Sequence, residues 1–341
     1  MSDGMSAVVE ALRSADSVAV CCHVNPDGDT IGSALALRLA LLRLGKRVAV
    51  FSADKRPDML AGLPGADAIR NYDSLGTEES FALLLPVDVS DSHRMGRLTD
   101  GDVFALMQAR CARSAQIDHH GTNPGYCQCN DVDGDAPAAA VLVWRLLPSL
   151  GVRLDADLAA CLYAALSTDT GNFSHGNTNA EAFRMAAELM DAGLELSRWN
   201  RRLFLEKPLA QQLLIARAMA SLRYLCGGRL AVMRLSRQDF EDCGALKEHA
   251  DTIVNIGLEA QGARMSLLAR EDGDGIKMSL RAVAPLAVDG VARSFGGGGH
   301  AQAAGCTVRG SLEEACAQVA EAMAVLLAQA EQGSGDPTSA G

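Results

Sequence analysis

Residues 17–45 read SVAVCCHVNPDGDTIGSALALRLALLRLG: an apolar run, a polar loop, and a longer apolar pattern ending at glycine. Ser17 to Cys22 is apolar and partly β-branched, which predicts a buried strand. The loop HVNPDGD carries strong turn chemistry, and the spacing from Thr30 to Leu44 predicts a helix with Gly45 as its C-terminal cap. Strand, loop and helix in that order build a parallel α/β sheet. The pattern recurs, with RVAVF, FALLLPV (Phe81 to Val87) and AQI (Ala115 to Ile117) as further strands. Functional loops in such sheets leave the carboxyl ends of strands, where HVNPDGD, DVSD (Asp88 to Asp91) and DHH (Asp118 to His120) each sit.

Helical patterns follow from Pro137 to Leu147, Asp155 to Ser167 and Asn179 to Ala192, so residues 1–195 are expected to form a Rossmann-like domain. A helical stretch broken by Pro208 predicts a linker over 196–225. From Gly228 the pattern restarts, with RLAVMRL, RMSLLAR and IKMSLRAV as strands and Leu312 to Ala330 as a closing helix. This predicts a smaller α/β domain over 226–331, an active site in the cleft between the domains, and a disordered tail over 332–341. No internal repeat is visible.

Composition narrows the function. The net charge of the 341-residue chain is −11, whereas grip on a long polyanion normally needs a basic face for counterion release. Aromatics make up only 4%, too few for an extended base-stacking platform. Any nucleotide substrate should therefore be short. The 10 cysteines include Cys21 and Cys22 inside an apolar run and Cys161 and Cys316 in Ala-rich helical patterns, which suits reduced, buried thiols. The N-terminal stretch lacks the basic start and apolar core of a secretory signal, and no apolar run reaches ~20 residues. The expectation is a soluble, cytoplasmic protein with no membrane partner; a homodimer is compatible with it.

Five clusters carry the chemistry. His23, Asp27 and Asp29 share one short loop, and an imidazole with two carboxylates suits Mn²⁺, Zn²⁺, Co²⁺ or Fe²⁺ better than Mg²⁺. Taken alone, the same loop is equally an ordinary turn. Asp88 follows an apolar strand, and Asp169 sits in STDTGNF (Ser167 to Phe173) at the end of a helical pattern. His119 and His120 are adjacent, so on extended chain one can bind metal while the other faces substrate; Asp118 could orient a histidine. Asp27, Asp29, Asp88 and Asp169 together would balance two divalent ions in charge, with His120, Arg94, Arg281 and His300 left to offset a phosphate. The fifth cluster, FGGGGHAQAAG from Phe295 to Gly305, reads as a phosphate cradle in which Gly297, Gly298 and Gly299 present backbone N–H groups.

HVNPDGD, DVSD, DHH, STDTGNF and GGGGHAQAAG resemble, in this order, the motifs of the DHH phosphoesterase family with its associated C-terminal domain, over roughly residues 17 to 310. Within the family the chain is most similar to the bacterial nanoRNase/pAp phosphatase (bifunctional oligoribonuclease) group. The resemblance implies a two-metal, manganese-dependent enzyme that removes mononucleotides from very short RNA and dephosphorylates 3′-phosphoadenosine 5′-phosphate (pAp). It further implies that His23, Asp27 and Asp88 hold one ion and that Asp29, Asp88, His119 and Asp169 hold the other, Asp88 bridging. His120 would contact the scissile phosphate, and Arg281, the glycines and His300 the rest of the substrate. Arg94 would add a phosphate contact, and Asn172 stands where relatives often carry arginine.

Other readings stay open. A phosphodiesterase for linear dinucleotides such as pApA or pGpG is one. Pyrophosphatases and exopolyphosphatases share the metal motifs but lack GGGGH; single-strand DNA exonucleases carry a further domain; cyclic-dinucleotide phosphodiesterases carry membrane segments. From another class, a silent nucleotide-binding regulator would be expected to have lost a ligand, yet all six positions are filled. Cys127 and Cys129 could form half of a zinc site, but a second pair is missing and free thiols fit better. His93, His175 and His249 are read as bystanders, His175 being nearest to a motif.

Overall fold

The computed structural model describes residues 2–98, 101–273 and 275–333. The chain forms two compact units, Met1–Glu206 and Lys207–Gly341.

The strands of the first unit are β1 (Ser17–Cys21), β2 (Arg47–Phe51), β3 (Ile69–Arg70), β4 (Phe81–Pro86), the short antiparallel pair β5 (Arg97–Leu98) and β6 (Gly101–Asp102), β7 (Cys111–Asp118) and β8 (Cys129–Val132). Six of them make a parallel sheet in the order β3-β2-β1-β4-β7-β8. The chain winds outward from β1 in one direction and from β4 in the other. The carboxyl ends of β1 and β4 are thus the topological switch point, where such sheets bind ligands. Helices α1 (Asp3–Ser14), α2 (Gly28–Arg43), α3 (Val103–Arg110), α4 (Ala139–Leu146), α5 (Ala156–Asp169), α6 (Ala180–Asp191) and α7 (Leu196–Asn200) surround the sheet.

All five residues of β1 are buried, as a central parallel strand covered on both faces demands. Helix α2 is buried around most of its circumference, from Gly28 through Leu41, because it lies between the sheet and α5. A Cβ on Gly28 would meet the Thr168 side chain at 2.1 Å and one on Gly32 the Cys161 carbonyl at 2.4 Å, so glycine lets the two helices touch. Truncating a fully buried side chain here, such as Leu37→Ala, should cost about 2–5 kcal/mol. The helix begins two residues earlier than its apolar spacing predicts because Asp27 is its N-cap, accepting from the Asp29 and Thr30 N–H groups. Gly45 follows its end with φ 75°, as expected of a C-terminal cap.

The second unit carries a mixed sheet of β9 (Arg223–Leu225), β10 (Leu230–Leu235), β11 (Met265–Asp272), β12 (Gly275–Ala282), β13 (Gly298–His300) and β14 (Ala303–Val308), ordered β13-β14-β12-β11-β10-β9. Helices α8 (Leu209–Ser221), α9 (Arg237–Cys243) and α10 (Ile253–Ile256) pack around Met233, Leu235 and Leu268 on one face. Helices α11 (Asp289–Ser294) and α12 (Leu312–Gly333) pack around Leu230, Leu267 and Leu280 on the other. The stretch read as a linker divides at Pro208: residues 196–205 are helical in the first unit, and α8 packs on the sheet of the second. Of the tail read as disordered, Gln332 and Gly333 end α12, and 334–341 lie outside the described residues.

Candidate metal centre

Three loops at the carboxyl ends of β1, β4 and β7, and the end of α5, converge. His23 follows β1; its Nδ1 lies 2.8 Å from the Val24 carbonyl, which can only accept, so Nδ1 carries the proton and Nε2 is left to bind. That Nε2 lies 3.5 Å from Asp27 Oδ1 and 3.5 Å from Asp88 Oδ2. His119 repeats the device, Nδ1 donating to the Ala136 carbonyl at 3.2 Å. Its Nε2 is 3.5 Å from Asp88 Oδ1, 3.7 Å from Asp29 Oδ2 and 3.8 Å from Asp169 Oδ2. Asp88 thus belongs to both groups, which is the arrangement a bridging carboxylate requires.

Each of the other carboxylates is held from behind. The Asp29 carboxylate accepts from the Ala139 N–H at 2.6 Å, the Ala140 N–H at 3.1 Å and the Ser33 hydroxyl at 3.1 Å. These backbone donors open α4, whose N-terminus favours negative charge. Asn177 Nδ2 donates to Asp169 Oδ2 at 3.1 Å, and Asn123 Nδ2 to Asp118 Oδ2 at 2.6 Å. Asp88 differs: it sits at φ 58°, only 2% exposed, and its Oδ1 has no hydrogen-bond partner. Such an oxygen costs about 1–3 kcal/mol or more if nothing satisfies it, so its retention points to a ligand.

Electrostatics point the same way. Burial works against charge on His23, but its bonds to Asp27 and Asp88 outweigh burial and push it up to about 10. Against the same burial, Asp88, Asp29 and Asp169 push His119 up to about 10. Burial and the neighbouring Asp88 raise the Asp29 carboxyl; burial also raises Asp169, against the pull of His119. Four carboxylates crowd two imidazoles here, a setting in which a divalent cation would take the place of the imidazole protons. His23, Asp27 and Asp88 form one cluster of candidate ligands, and Asp29, His119 and Asp169 another. Donor separations of 3.5–3.8 Å leave room for an ion whose ligands sit at about 2.1 Å. Imidazole nitrogen mixed with carboxylate oxygen fits a transition metal such as Mn²⁺, so the residues suit the divalent ions the motifs imply.

His120 lies at the edge of the centre, 34% of its side chain exposed, with Nδ1 2.8 Å from Asp118 Oδ1 and 3.6 Å from Asp88 Oδ1. Asp88, His119 and His120 also satisfy a three-ligand cluster, so geometry allows His120 a role toward metal as well as substrate. Arg94 enters the same neighbourhood, 3.5 Å from His23 Nδ1 and bonded to the Ser90 hydroxyl. Arg281 and His300 lie in the second unit, on strands either side of β14, each in register with Ala303. The glycine run there is no free loop. Gly298 to His300 pairs with β14 as an edge strand, and a Cβ at Gly297 or Gly299 would strike the β14 backbone at 2.1 or 2.6 Å. Two of these glycines are therefore explained by close strand packing, whereas Gly298 faces open space.

The supporting side chains of Ser33, Asn123 and Asn177 are common polar residues with no distinctive spacing, and segment 136–140 acts through backbone N–H and C=O groups, which leave no mark on side-chain chemistry. His175 was read as a bystander, yet its ring lies against Gly171 and its Nδ1 3.2 Å from the Asp169 carbonyl. His93 pairs with Asp102, and His249 Nδ1 accepts from the Leu246 N–H. Cys127 and Cys129 are free thiols and join no candidate metal cluster among the described residues.

Comparison with known proteins follows the same division. The DHH family N-terminal domain matches residues 17–166, and the DHHA1 domain matches residues 227–325. The chain is 34% identical over 322 residues to the bifunctional oligoribonuclease and PAP phosphatase NrnA of Thermus thermophilus, covering 94% of this chain and 93% of that protein. Its counterpart in Bacillus subtilis is 24% identical, covering 88% and 92%. The crystal structure of an exopolyphosphatase-related protein from Bacteroides fragilis superposes with a TM-score of 0.81 at 26% identity, covering 95% of this chain and 97% of that one.

Proposed function

This chain belongs to the DHH family of phosphoesterases, with a DHHA1 domain in its second unit, and from that premise we propose a manganese-dependent enzyme for very small nucleotides. Its substrates are RNA of about two to five nucleotides, cut to mononucleotides, and pAp, dephosphorylated to AMP; the acidic net charge of the chain argues against long polymers. The observation that carries the reading is the buried Oδ1 of Asp88, which accepts no hydrogen bond and lies within 3.6 Å of both His119 and His120 in the candidate ligand clusters. Similarity to the Thermus protein along nearly its whole length supports the choice of substrates.

In this reading His23, Asp27 and Asp88 hold one divalent ion, and Asp29, Asp88, His119 and Asp169 the other. Two such ions supply charge neutralisation at phosphorus and an activated water. The chain's own groups do the positioning. Asp118 fixes His120 through Nδ1, so Nε2, which has no hydrogen bond among the described residues, meets the phosphate and holds a proton against its developing charge. Arg94, beside His23, adds a positive charge. Arg281, Gly297, Gly298, Gly299 and His300 bind the part of the nucleotide that does not react. The work is done in the cytoplasm; no helix among the described residues is long and apolar enough to cross a membrane.

The test is turnover of pAp, a dinucleotide, a pentamer, a 24-mer and pyrophosphate side by side, with Mn²⁺, with Mg²⁺ and after EDTA. The first three should be hydrolysed, best with Mn²⁺ and not at all after chelation. Preference for pyrophosphate, equal rates on dinucleotide and 24-mer, or full activity in EDTA would each overturn the proposal.

A further inference from the structure

We propose that Asn177 is a positioning residue that sets the ion affinity of the Asp29–His119–Asp169 cluster, and does so by bolting Asp169 to the segment 136–140. The inference rests on the two-ion reading above.

One side-chain amide makes three contacts. The two N–H groups of Asn177 Nδ2 serve three oxygens, the Pro137 carbonyl at 2.9 Å, Asp169 Oδ2 at 3.1 Å and the Asp169 carbonyl at 3.3 Å, so one N–H is shared. The contact to Pro137 matters because of what else that segment holds. The Ala136 carbonyl accepts from His119 Nδ1, and the Ala139 and Ala140 N–H groups bind the Asp29 carboxylate. Three residues of this five-residue segment, Ala136, Ala139 and Ala140, therefore orient His119 and Asp29 directly, through backbone groups alone. Asp169 has no such direct bond to the segment. It is the last residue of α5, and an irregular stretch follows before Asn179 caps α6. Asn177 supplies the missing link, so all three ligands are referred to one rigid piece of backbone.

The contacts are oriented for this purpose. A carboxylate at the end of a helix retains freedom about both side-chain torsions, and a donor on Oδ2 selects one rotamer and one face. Partners of this kind behind a metal ligand are typically worth a factor of roughly 10–100 in metal affinity. The other cluster, His23, Asp27 and Asp88, has no bond to Asn177 and should not respond.

Asn179 offers an internal control. It lies in the same loop and caps α6 by accepting from the Glu181 and Ala182 N–H groups; its Nδ2 donates to the Asp135 carbonyl at 3.4 Å, with no bond to a ligand or to 136–140. Mn²⁺ titration of the metal-free wild type, Asn177→Ala and Asn179→Ala, read by calorimetry and by the spin-resonance signal of free Mn²⁺, separates the roles. The wild type should bind two ions. Asn177→Ala should weaken one of them by a factor of about 10–100 and leave the other within twofold. Asn179→Ala should lower the melting temperature with both affinities kept. If Asn177→Ala does not fold, Asn177→Ser is measured in the same way. Two unchanged affinities in the Asn177 variant, or equal weakening in Asn179→Ala, would overturn the inference while leaving the two-ion reading intact. A wild type that takes up no second ion would instead remove the reading beneath it.

Discussion

The backbone N–H of Ala139 lies 2.6 Å from Oδ2 of Asp29, so the first turn of one helix grips a carboxylate carried by another. Ala139 is the first helical residue of α4, a position where proline is otherwise well tolerated because its N–H is not needed inside the helix. Ala138 before it is extended, at φ −162° and ψ 156°, which also suits proline. Ala139→Pro should therefore leave the helix folded while replacing the donor with a ring carbon that Asp29 cannot approach as closely. Circular dichroism should stay as in the wild type, and Mn²⁺-dependent kcat should fall by a factor of ~10 or more. Unchanged activity would show that the α4 N-terminus does not position Asp29.

Asp88 should be the most sensitive of the carboxylates. It alone stands 3.5 Å from both His23 and His119. Its left-handed backbone is one that asparagine also adopts readily, so Asp88→Asn removes charge without adding strain. Activity should fall at least as far as in Asp27→Asn, and metal analysis should find both ions weakened. Near wild-type turnover would mean that the bridge is elsewhere.

His120 should act on phosphate. Its Nδ1 is engaged by Asp118 at 2.8 Å, so His120→Ala should retain two ions per chain while kcat falls by a factor of ~10² or more, as when a positioned acid is lost. Loss of one ion would transfer His120 to the coordination shell, a role its distance to Asp88 Oδ1 of 3.6 Å permits.

Arg281 and His300 should separate binding from chemistry. Contacts to the non-reacting part of a nucleotide supply binding energy used for positioning, and a small generic ester such as bis-p-nitrophenyl phosphate lacks that part. Arg281→Ala and His300→Ala should each lower kcat/KM for pAp and dinucleotide by about 10- to 150-fold, the worth of a charge-assisted hydrogen bond of roughly 1.5–3 kcal/mol, and largely spare the generic ester. Asp29→Ala should abolish both activities. A parallel decline on the two substrates in His300→Ala would place that histidine in the chemical centre.

Much of the first unit could be read directly. Its central strands β1 and β4 announce themselves as apolar runs because a parallel strand is covered on both faces, and the loops HVNPDGD and DVSD follow those two runs. His23, Asp27, Asp29, Asp88, His119 and Asp169 stand out because metal chemistry needs side-chain donors, and those are written in residue type. Less was visible where pairing is distant in sequence. AQI proved to be part of the carboxyl-terminal half of the eight-residue β7, in which Ser114, Gln116 and Asp118 are buried polar residues, and no apolar pattern marks such positions. The glycine run reads in sequence as a phosphate cradle with no strand pattern, yet Gly298 to His300 form β13 because β14 offers them a partner.

Residue identity and spacing single out the groups that could supply nitrogen and oxygen to a metal centre. Packing decides which of those groups stand within reach of one another. The contact of α2 with α5 across Gly28 and Gly32, and the lodging of Asp29 on α4, bring donors from distant motifs to 3.5–3.8 Å of one another. The groups that fix them there are mostly backbone N–H and C=O, which every residue but proline carries alike. Only the folded chain selects which of them are aimed inward, and so the supports of the centre were invisible until its helices were in place.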